Sequence, residues 1–578
     1  MEKNKFSWKL GGEAGYGIMT TGLIFSKACT RIGLYTYDYI EYPSLIRGGH
    51  NAYQVRVEDE DINSPIRPIN LLVALNKETV DLHKHELTPN GGIIFDGEQI
   101  NLSDLGRNDL KLYHVPLLKL EKEIGGLMVM RNSVALGASF GLLNHDWNIV
   151  EKTIRDAFGE KGKDIALEDV KAAKAGYDYV KSNYNIFDFP WKMEKISDEK
   201  KMVLTGNEAI GLGAIKAGVK FVVIYPMTPI SNILTFLAGY DEEYGIIVKE
   251  PEDELSGINM AIGASHMGVR AMTATSGGGY CLMTEAIGMA GITETPLVVI
   301  EGMRGGPSTG MPTWNEQGDL KFVLNTGHGE FPRIVLAPGD IEQSYYLTRH
   351  AFELAEKYQN PVLLITDKNI CESKKSLNFF DNTLKNIRYG FASQDELNKG
   401  NYLRFKFTDS GVSPRSVPGM PNGLFIATSD EHTEYGLYDE HIDNRIKMMD
   451  KRFRKLENCK KEIPLPALEG DADAEITLVS WGSTRGAILD SMKWLRNAGI
   501  KVNYLQIIYF SPFPDEAVLA ILKKAKKTLI IEATKNGQLA DVIREKTGFV
   551  FENTLYKYDG RPIYPEEIHD KVRSILKK

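Results

Sequence analysis

The sequence predicts a multidomain α/β protein built on parallel, doubly wound sheets. Three observations carry that prediction. The chain has 578 residues, too long for one core and enough for about three or four domains. From about residue 202 onward, short apolar runs recur with helix-forming stretches between most of them, as in strands joined by helical crossovers. The same alternation resumes after Glu475, beyond a polar stretch rich in Gly, Pro and Asp.

The first region, 1–185, opens with a short strand and a glycine-rich turn, Gly11-Gly12-Glu13-Ala14-Gly15-Tyr16-Gly17. A helical pattern follows from Ile18 to Ile32, with Leu23, Ile24, Cys29 and Ile32 on roughly one face. Asn70–Leu75 and Gly92–Phe95 read as buried strands of an open α/β sheet. Residues 186–201, with Pro190 and dense charge, read as a linker. In the second region, 202–385, strands are expected at Phe221–Tyr225, Ile246–Val248, Arg270–Ala274, Leu297–Ile300, Arg333–Leu336 and Val362–Ile365. Residues 386–470 read as an irregular connection with local structure. Within it, a helix of mixed charge from Glu431 to Arg454 is expected to face solvent or another subunit. The third region, 471–578, is a smaller α/β domain with strands near Ile476–Trp481, Val502–Ile508 and Thr528–Glu532.

Composition narrows the function. Hydrophobic content of 43% and charged content of 25% are ordinary for a globular protein, and a net charge of −8 argues against nucleic-acid binding. No stretch approaches the ~18 apolar residues of a spanning helix. Met1–Leu10 lacks the apolar run of a secretory signal. Cys29, Cys281, Cys371 and Cys459 are scattered, with no CxxC pair for a disulfide framework or an iron–sulfur cluster. The expectation is a cytoplasmic protein without membrane segments.

Open parallel sheets bind ligands beyond the carboxyl ends of their strands, and there the middle region carries its least generic residues. Tyr225-Pro226-Met227-Thr228-Pro229 follows the first strand, and Glu250-Pro251-Glu252-Asp253-Glu254 the second. Thr275-Ser276-Gly277-Gly278-Gly279 follows the third, and Gly302-Met303-Arg304-Gly305-Gly306-Pro307 the fourth. Each has a plain structural alternative: a rigid proline turn, an acidic complement to a helix N-terminus, a flexible glycine turn, a surface ion pair. Arg304 among glycines is the hardest to dismiss, since its guanidinium offers a two-pronged grip on a carboxylate. Four such loops on one edge outweigh any single one. The N-terminal glycine turn suits either a phosphate at a helix start or a tight strand–helix connection, and His50 reads as structural.

These residues carry a resemblance. Tyr225–Pro229, Glu252-Asp253-Glu254-Leu255, Thr273–Gly279, Gly306–Gly310 and Asn315–Leu320 resemble the alpha subunit of 2-oxoacid:ferredoxin oxidoreductases. Gly12–Gly15 and Tyr42–His50 are similar to the gamma subunit, and Glu532–Leu539 to the transketolase C-terminal-like domain, of the same enzymes. The resemblance spans nearly the whole chain in a fused gamma–alpha order. It implies a gamma-type domain, a thiamine pyrimidine-binding domain and a transketolase C-terminal-like domain. It implies oxidative decarboxylation of a 2-oxoacid, 2-oxoglutarate by preference or else pyruvate or a branched-chain 2-oxoacid, to an acyl-CoA with electrons passed to ferredoxin.

Thiamine diphosphate is then shared with a small beta subunit, which supplies Mg²⁺ and a [4Fe-4S] cluster in an (alpha-beta)₂ assembly. Coenzyme A is the co-substrate. The resemblance assigns Glu254 to the pyrimidine ring nitrogen, with Glu252 as the alternative two residues away. Thr228 and Arg304 take the substrate, Pro226, Thr228 and Ser276 line the cofactor, and Arg47 contacts coenzyme A or the partner. Gly305 and Trp314 depart from the family's usual Pro and Arg, which bears on substrate choice. No Gly-Asp-Gly diphosphate motif occurs; Gly470-Asp471 with Asn497 precedes a predicted strand. A self-sufficient thiamine enzyme and a non-catalytic scaffold are the competing readings.

Overall fold

A computed structural model describes residues 2–45, 48–125, 130–159 and 163–577. The chain divides into two compact units. One comprises Met1–Leu204, Ser373–Phe380 and Tyr564–Glu566; the other holds Thr205–Glu372, Asp381–Ile563 and Glu567–Lys578.

The first unit is built on an eight-stranded sheet. Its order is Lys111–His114, Leu87–Phe95, Ile69–Ala74, Phe6–Glu13, His50–Glu58, Tyr35–Glu41, Lys374–Leu377 and Met202–Thr205. The first four strands run parallel. Antiparallel pairing then joins Phe6–Glu13 to His50–Glu58 and that strand to Tyr35–Glu41. The expected strand at 92–95 lies inside the observed Leu87–Phe95, the one at 70–75 matches the observed Ile69–Ala74 to within one residue at each end, and the first helix spans Ile18–Thr30. Trp8, Phe25 and Phe140 stack through the core, with ring centroids 4.2 and 5.0 Å apart. Helices Arg131–Leu142 and Lys163–Asn183 cross on glycine: a Cβ at Gly137 would lie 1.7 Å from the Ala173 carbonyl oxygen.

The antiparallel pair escaped the sequence reading because Tyr35–Glu41 carries a carboxyl at its centre. Asp38 is fully buried and accepts hydrogen bonds from Ser26 Oγ at 2.9 Å and Tyr53 OH at 2.6 Å. Burial outweighs those donors and pushes the carboxyl up to about 6. A carboxyl raised above its unfolded value destabilises the fold once ionised. Stability linked to Asp38 is therefore complete below about pH 4 and lost as pH rises through about 6. The expected result is that Asp38→Asn flattens this part of the stability–pH curve, measured as the difference in urea midpoint from the parent between pH 4 and 8.

In the second unit, a seven-stranded sheet runs Ile247–Lys249, Phe221–Val223, Ala271–Thr275, Leu297–Met303, Pro361–Asp367, Ile334–Leu336 and Tyr509–Ser511. Six strands are parallel and the last is antiparallel. Strand order reverses around Phe221–Val223, which places the switch point of the doubly wound sheet at its C-terminal end. A five-stranded sheet follows in the order Leu468–Gly470, Val502–Gln506, Ile476–Ser480, Thr528–Glu532 and Thr554–Tyr556.

The helix expected from Glu431 to Arg454 is corrected. It spans Ile442–Glu462, because Gly436 takes φ +86° and His432 bridges back to Tyr438 before it begins. Its cations are not all solvated either. Lys451 and Lys455 are fully buried and both bind Glu294, which sits at φ +51° just after the helix Gly277–Ile292. Asp471 is held by Arg496 Nε at 2.9 Å.

Candidate active site

The site assembles at the C-terminal ends of the parallel strands of the second unit. After Phe221–Val223, the chain turns through Pro226 and Thr228; Pro226 is exposed and Thr228 half-buried. The Thr228 carbonyl oxygen accepts from Arg304 Nη1 at 2.8 Å, so the first and fourth loops meet directly. Arg304 is half-buried, and burial pulls its guanidinium below the usual arginine range against the opposing charge of Asp319. A guanidinium can also bind an anion two-pronged through its other N–H groups.

Glu254 opens the helix Glu254–His266, whose N-cap Asp253 accepts from Ser256 N at 2.7 Å. The two candidate carboxyls part company here: Glu252 is exposed, whereas Glu254 is 3% exposed. Glu254 Oε1 is buried with no hydrogen-bond partner among the described residues. An unpaired buried polar atom costs about 1–3 kcal/mol, which a donor from outside the chain would offset.

The glycine run after Ala271–Thr275 is the first turn of the helix Gly277–Ile292, with Ser276 at its N-cap position. It is not a flexible turn. A Cβ on Gly279 would lie 2.2 Å from Glu254 Oε1 and 2.1 Å from Thr275 Oγ1. One on Gly277 would lie 2.5 Å from Asp319 Oδ2. The glycines thus admit two carboxyls against one helix N-terminus, where the backbone dipole favours negative charge. Ser276 is fully buried, and its Oγ has no partner among the described residues.

Two carboxyls that the sequence reading did not single out as site residues belong here. Glu301 lies in the strand Leu297–Met303, fully buried, with neither oxygen in hydrogen-bond geometry to a donor among the described residues. Burial, then the charge of Asp319, push it well above the usual carboxylate range. A proton on Glu301 bridging to Asp319 would relieve both. Asp319 is itself raised by burial, against the pull of Glu301 and Arg304. One acid inside Leu-Val-Val-Ile-Glu-Gly-Met was the legible signal, since a lone charge in a buried strand is rare.

The stretch Asn315–Leu320 is anchored by the C-terminal region. Gln317 Nε2 donates to the Trp481 carbonyl oxygen at 2.9 Å, and Ala533 N donates to Gln317 Oε1 at 2.9 Å. Gln317 N reaches the Ala533 carbonyl at 2.7 Å, and Asn315 N the Gly560 carbonyl at 2.9 Å. Asn369 N donates to Asn315 Oδ1 at 3.1 Å. Trp314 is covered by the guanidinium of Arg561, 3.6 Å from the ring centroid.

Of the residues singled out from sequence, Thr228 and Arg304 touch. Glu254 and Ser276 flank the start of one helix, and Arg47 lies outside the described residues. His50, in the first unit, places Nε2 2.8 Å from His83 Nε2. Among the described residues, no group of three or more His, Cys, Asp and Glu side chains forms a metal site, and no helix is long and apolar enough to cross a membrane.

Comparison with known proteins gives three family matches. Residues 212–451 match pyruvate flavodoxin/ferredoxin oxidoreductase, thiamine diphosphate-binding. Residues 7–179 match pyruvate ferredoxin/flavodoxin oxidoreductase, and 474–568 match pyruvate:ferredoxin oxidoreductase core domain II. The chain is 33% identical to the 2-oxoacid:ferredoxin oxidoreductase subunit alpha of Saccharolobus solfataricus, over 99% of this chain and 98% of that one. It is 29% identical to the 2-oxoglutarate oxidoreductase subunit KorA of Mycobacterium tuberculosis, covering 98% and 91%. A solved 2-oxoglutarate:ferredoxin oxidoreductase from Magnetococcus marinus, with 2-oxoglutarate, coenzyme A and succinyl-CoA bound, superposes with a TM-score of 0.92 at 31% identity. That match covers 99% of this chain and all of that one.

Proposed function

Because the chain belongs to the 2-oxoacid:ferredoxin oxidoreductases as an alpha subunit, we propose that it joins a small beta subunit to oxidise 2-oxoglutarate. The products would be succinyl-CoA, CO₂ and two electrons delivered to ferredoxin. The observation that carries the reading is the buried Glu254 Oε1, without a partner among the described residues, together with the Thr228–Arg304 contact. The names of relatives and of the superposable structure favour 2-oxoglutarate over pyruvate or a branched-chain 2-oxoacid.

The residues fit thiamine diphosphate on its pyrimidine side. Glu254 Oε1 lacks a donor among the described residues, and Gly279 keeps a side chain out of the space beside it. When bound, the cofactor supplies a nucleophilic carbon and a sink for the electrons freed as CO₂ leaves. Glu254 would share a proton with the pyrimidine ring nitrogen, its burial excluding water that would compete for it. Pro226 and Ser276 would line the ring. Arg304 would hold the substrate carboxylate and Thr228 its 2-oxo end, so that the bond to be broken is oriented before it breaks.

Mg²⁺ with the diphosphate, and a [4Fe-4S] cluster, are assigned to the beta subunit. The scattered cysteines of this chain support that: Cys29, Cys371 and Cys459 are buried apart and Cys281 is exposed. Exposed Leu255, Met260 and Leu282, on the two helices that meet at Glu254, suit a covering partner. Coenzyme A as co-substrate and an (alpha-beta)₂ assembly complete the proposal.

Reduction of ferredoxin or a viologen dye is the test, with thiamine diphosphate, Mg²⁺, coenzyme A and a panel of 2-oxoacids. Activity in the alpha–beta mixture alone, highest with 2-oxoglutarate, is the expected result. Activity from this chain by itself, or a mixture that prefers a monocarboxylic acid, would overturn it.

A further inference from the structure

The Arg561–Trp314 stack joins the C-terminal region to the loop that bears Arg304, and nothing in the reaction scheme above uses it. Arg561 follows the strand Thr554–Tyr556, at the end of the bend Asp559-Gly560-Arg561. Its guanidinium carbon lies over the indole of Trp314, 3.6 Å from the ring centroid. Stacking fixes the plane of the guanidinium and leaves the N–H groups on its edge to bind. One edge group, Nη1, donates to the Asp559 carbonyl oxygen at 3.1 Å. No carboxylate pairs with Arg561 among the described residues: the neighbouring Asp559 side chain accepts instead from the Arg561 backbone N–H at 2.9 Å.

Two backbone bonds close the loop after Arg304 around Trp314, and a third ties that loop to the residue before Arg561. Gly305 N donates to the Trp314 carbonyl at 3.1 Å, Met311 N to the Gly305 carbonyl at 2.7 Å, and Asn315 N to the Gly560 carbonyl at 2.9 Å. Gly560 has to be small, since a Cβ there would lie 2.9 Å from Met311 Cε and 3.0 Å from Trp314 Cβ. A half-buried cation is therefore brought to the loop that follows Arg304, fixed in orientation and lacking an anion.

Resting on the 2-oxoacid reading above, we infer that Arg561, oriented by Trp314, binds the distal carboxylate of a dicarboxylic 2-oxoacid while Arg304 holds the carboxylate that leaves. A 2-oxo diacid carries two carboxylates joined by a short chain. A monocarboxylic 2-oxoacid leaves Arg561 without a partner, and an unpaired half-buried charge discriminates against it. Specificity then comes from a pair of arginines on loops of two different sheets. Trp314 is a positioning residue in this scheme, and Arg561 the contact.

The test is the ratio of kcat/KM for 2-oxoglutarate to that for pyruvate or 2-oxobutyrate, measured on the assembled enzyme. Arg561→Gln should lower that ratio about 10- to 100-fold, the size of one lost charge-assisted pair, chiefly through KM for the diacid. Arg561→Lys keeps the charge without the planar fork and should fall between. Trp314→Ala should shift the ratio in the same direction by less, with the thermal midpoint reporting that each variant is folded. An unchanged ratio in folded Arg561→Gln, an equal loss with both classes of acid, or a rise confined to KM for coenzyme A would each overturn the inference. A parent complex inactive toward 2-oxoglutarate would instead bring down the functional reading on which it rests.

Discussion

Glu254→Ala should cost the assembled enzyme at least about 100-fold in kcat, the lower end of what a positioned proton-sharing group contributes. The fold should survive. Glu254 Oε1 has no partner to lose among the described residues, and the N-cap of its helix is Asp253, not Glu254. Removing a buried carboxyl whose Oε1 has no partner among the described residues relieves a desolvation cost, so the thermal midpoint should hold or rise while turnover collapses. Glu254→Gln keeps the shape without the shared proton and should be nearly as inactive. Gly279→Ala approaches the same atom from the other side: its methyl would sit 2.2 Å from Glu254 Oε1. That crowding should displace the carboxyl and bring a comparable loss. Full activity in Glu254→Ala would mean a scaffold subunit, with catalysis wholly on the partner.

Glu294→Ala should produce the largest loss of stability, about 3–5 kcal/mol for removing one member of a buried ion network. Lys451 Nζ reaches Glu294 Oε1 at 2.6 Å and Oε2 at 2.8 Å, Lys455 binds Oε2, and Arg404 Nη2 donates to the Glu294 carbonyl at 2.8 Å. All four side chains are buried, the glutamate and both lysines fully. These cations hold the Glu294 carboxyl far below its usual range in spite of burial, and burial pulls Lys455 down to about 7. Without the carboxylate, two ammonium groups and a guanidinium remain in a dry interior with no carboxylate paired to them among the described residues, Lys455 keeping the Gln359 carbonyl oxygen at 3.3 Å. Alanine would also have to hold φ +51°, a left-handed conformation that costs about 1 kcal/mol or more. The measurement is the urea midpoint of the second unit, followed by hydrogen exchange in the helix Ile442–Glu462. A midpoint within 0.5 kcal/mol of the parent, taken as the threshold for an ordinary surface change, would show that water reaches the network.

The sheets were legible because their strands are apolar runs of ordinary length, and Thr528–Glu532 came out with the bounds the sequence suggested. The edge that carries the candidate site was legible for a different reason. Proline, glycine and single charges stood at the ends of four successive strands, where apolar periodicity had no use for them. Pairings distant along the chain were not legible. Nothing local to Lys451 or Lys455 announces Glu294, so mixed charge read as a solvated face. Residues 431–441 read as helix by the same charge rule, which is blind to the turn at Gly436. Trp314 could be seen as unusual, but its partner Arg561 lies in another sheet's loop and only folding brings them together.

The strand Lys374–Leu377 was the hardest to foresee, being short, polar and surrounded by sequence of the other unit. It pairs antiparallel with Tyr35–Glu41, and Thr36 N donates to Ser376 Oγ at 2.9 Å. A gene cut after residue 204 would therefore encode a sheet with a gap, lacking the ribbon between Tyr35–Glu41 and Met202–Thr205. The freed backbone of Tyr35–Glu41 would be an open template for another chain, a common start of aggregation. Dissection of this protein into its parts is thus a question of splicing more than of truncation: a well-behaved N-terminal fragment would need residues 373–380 grafted back onto its end.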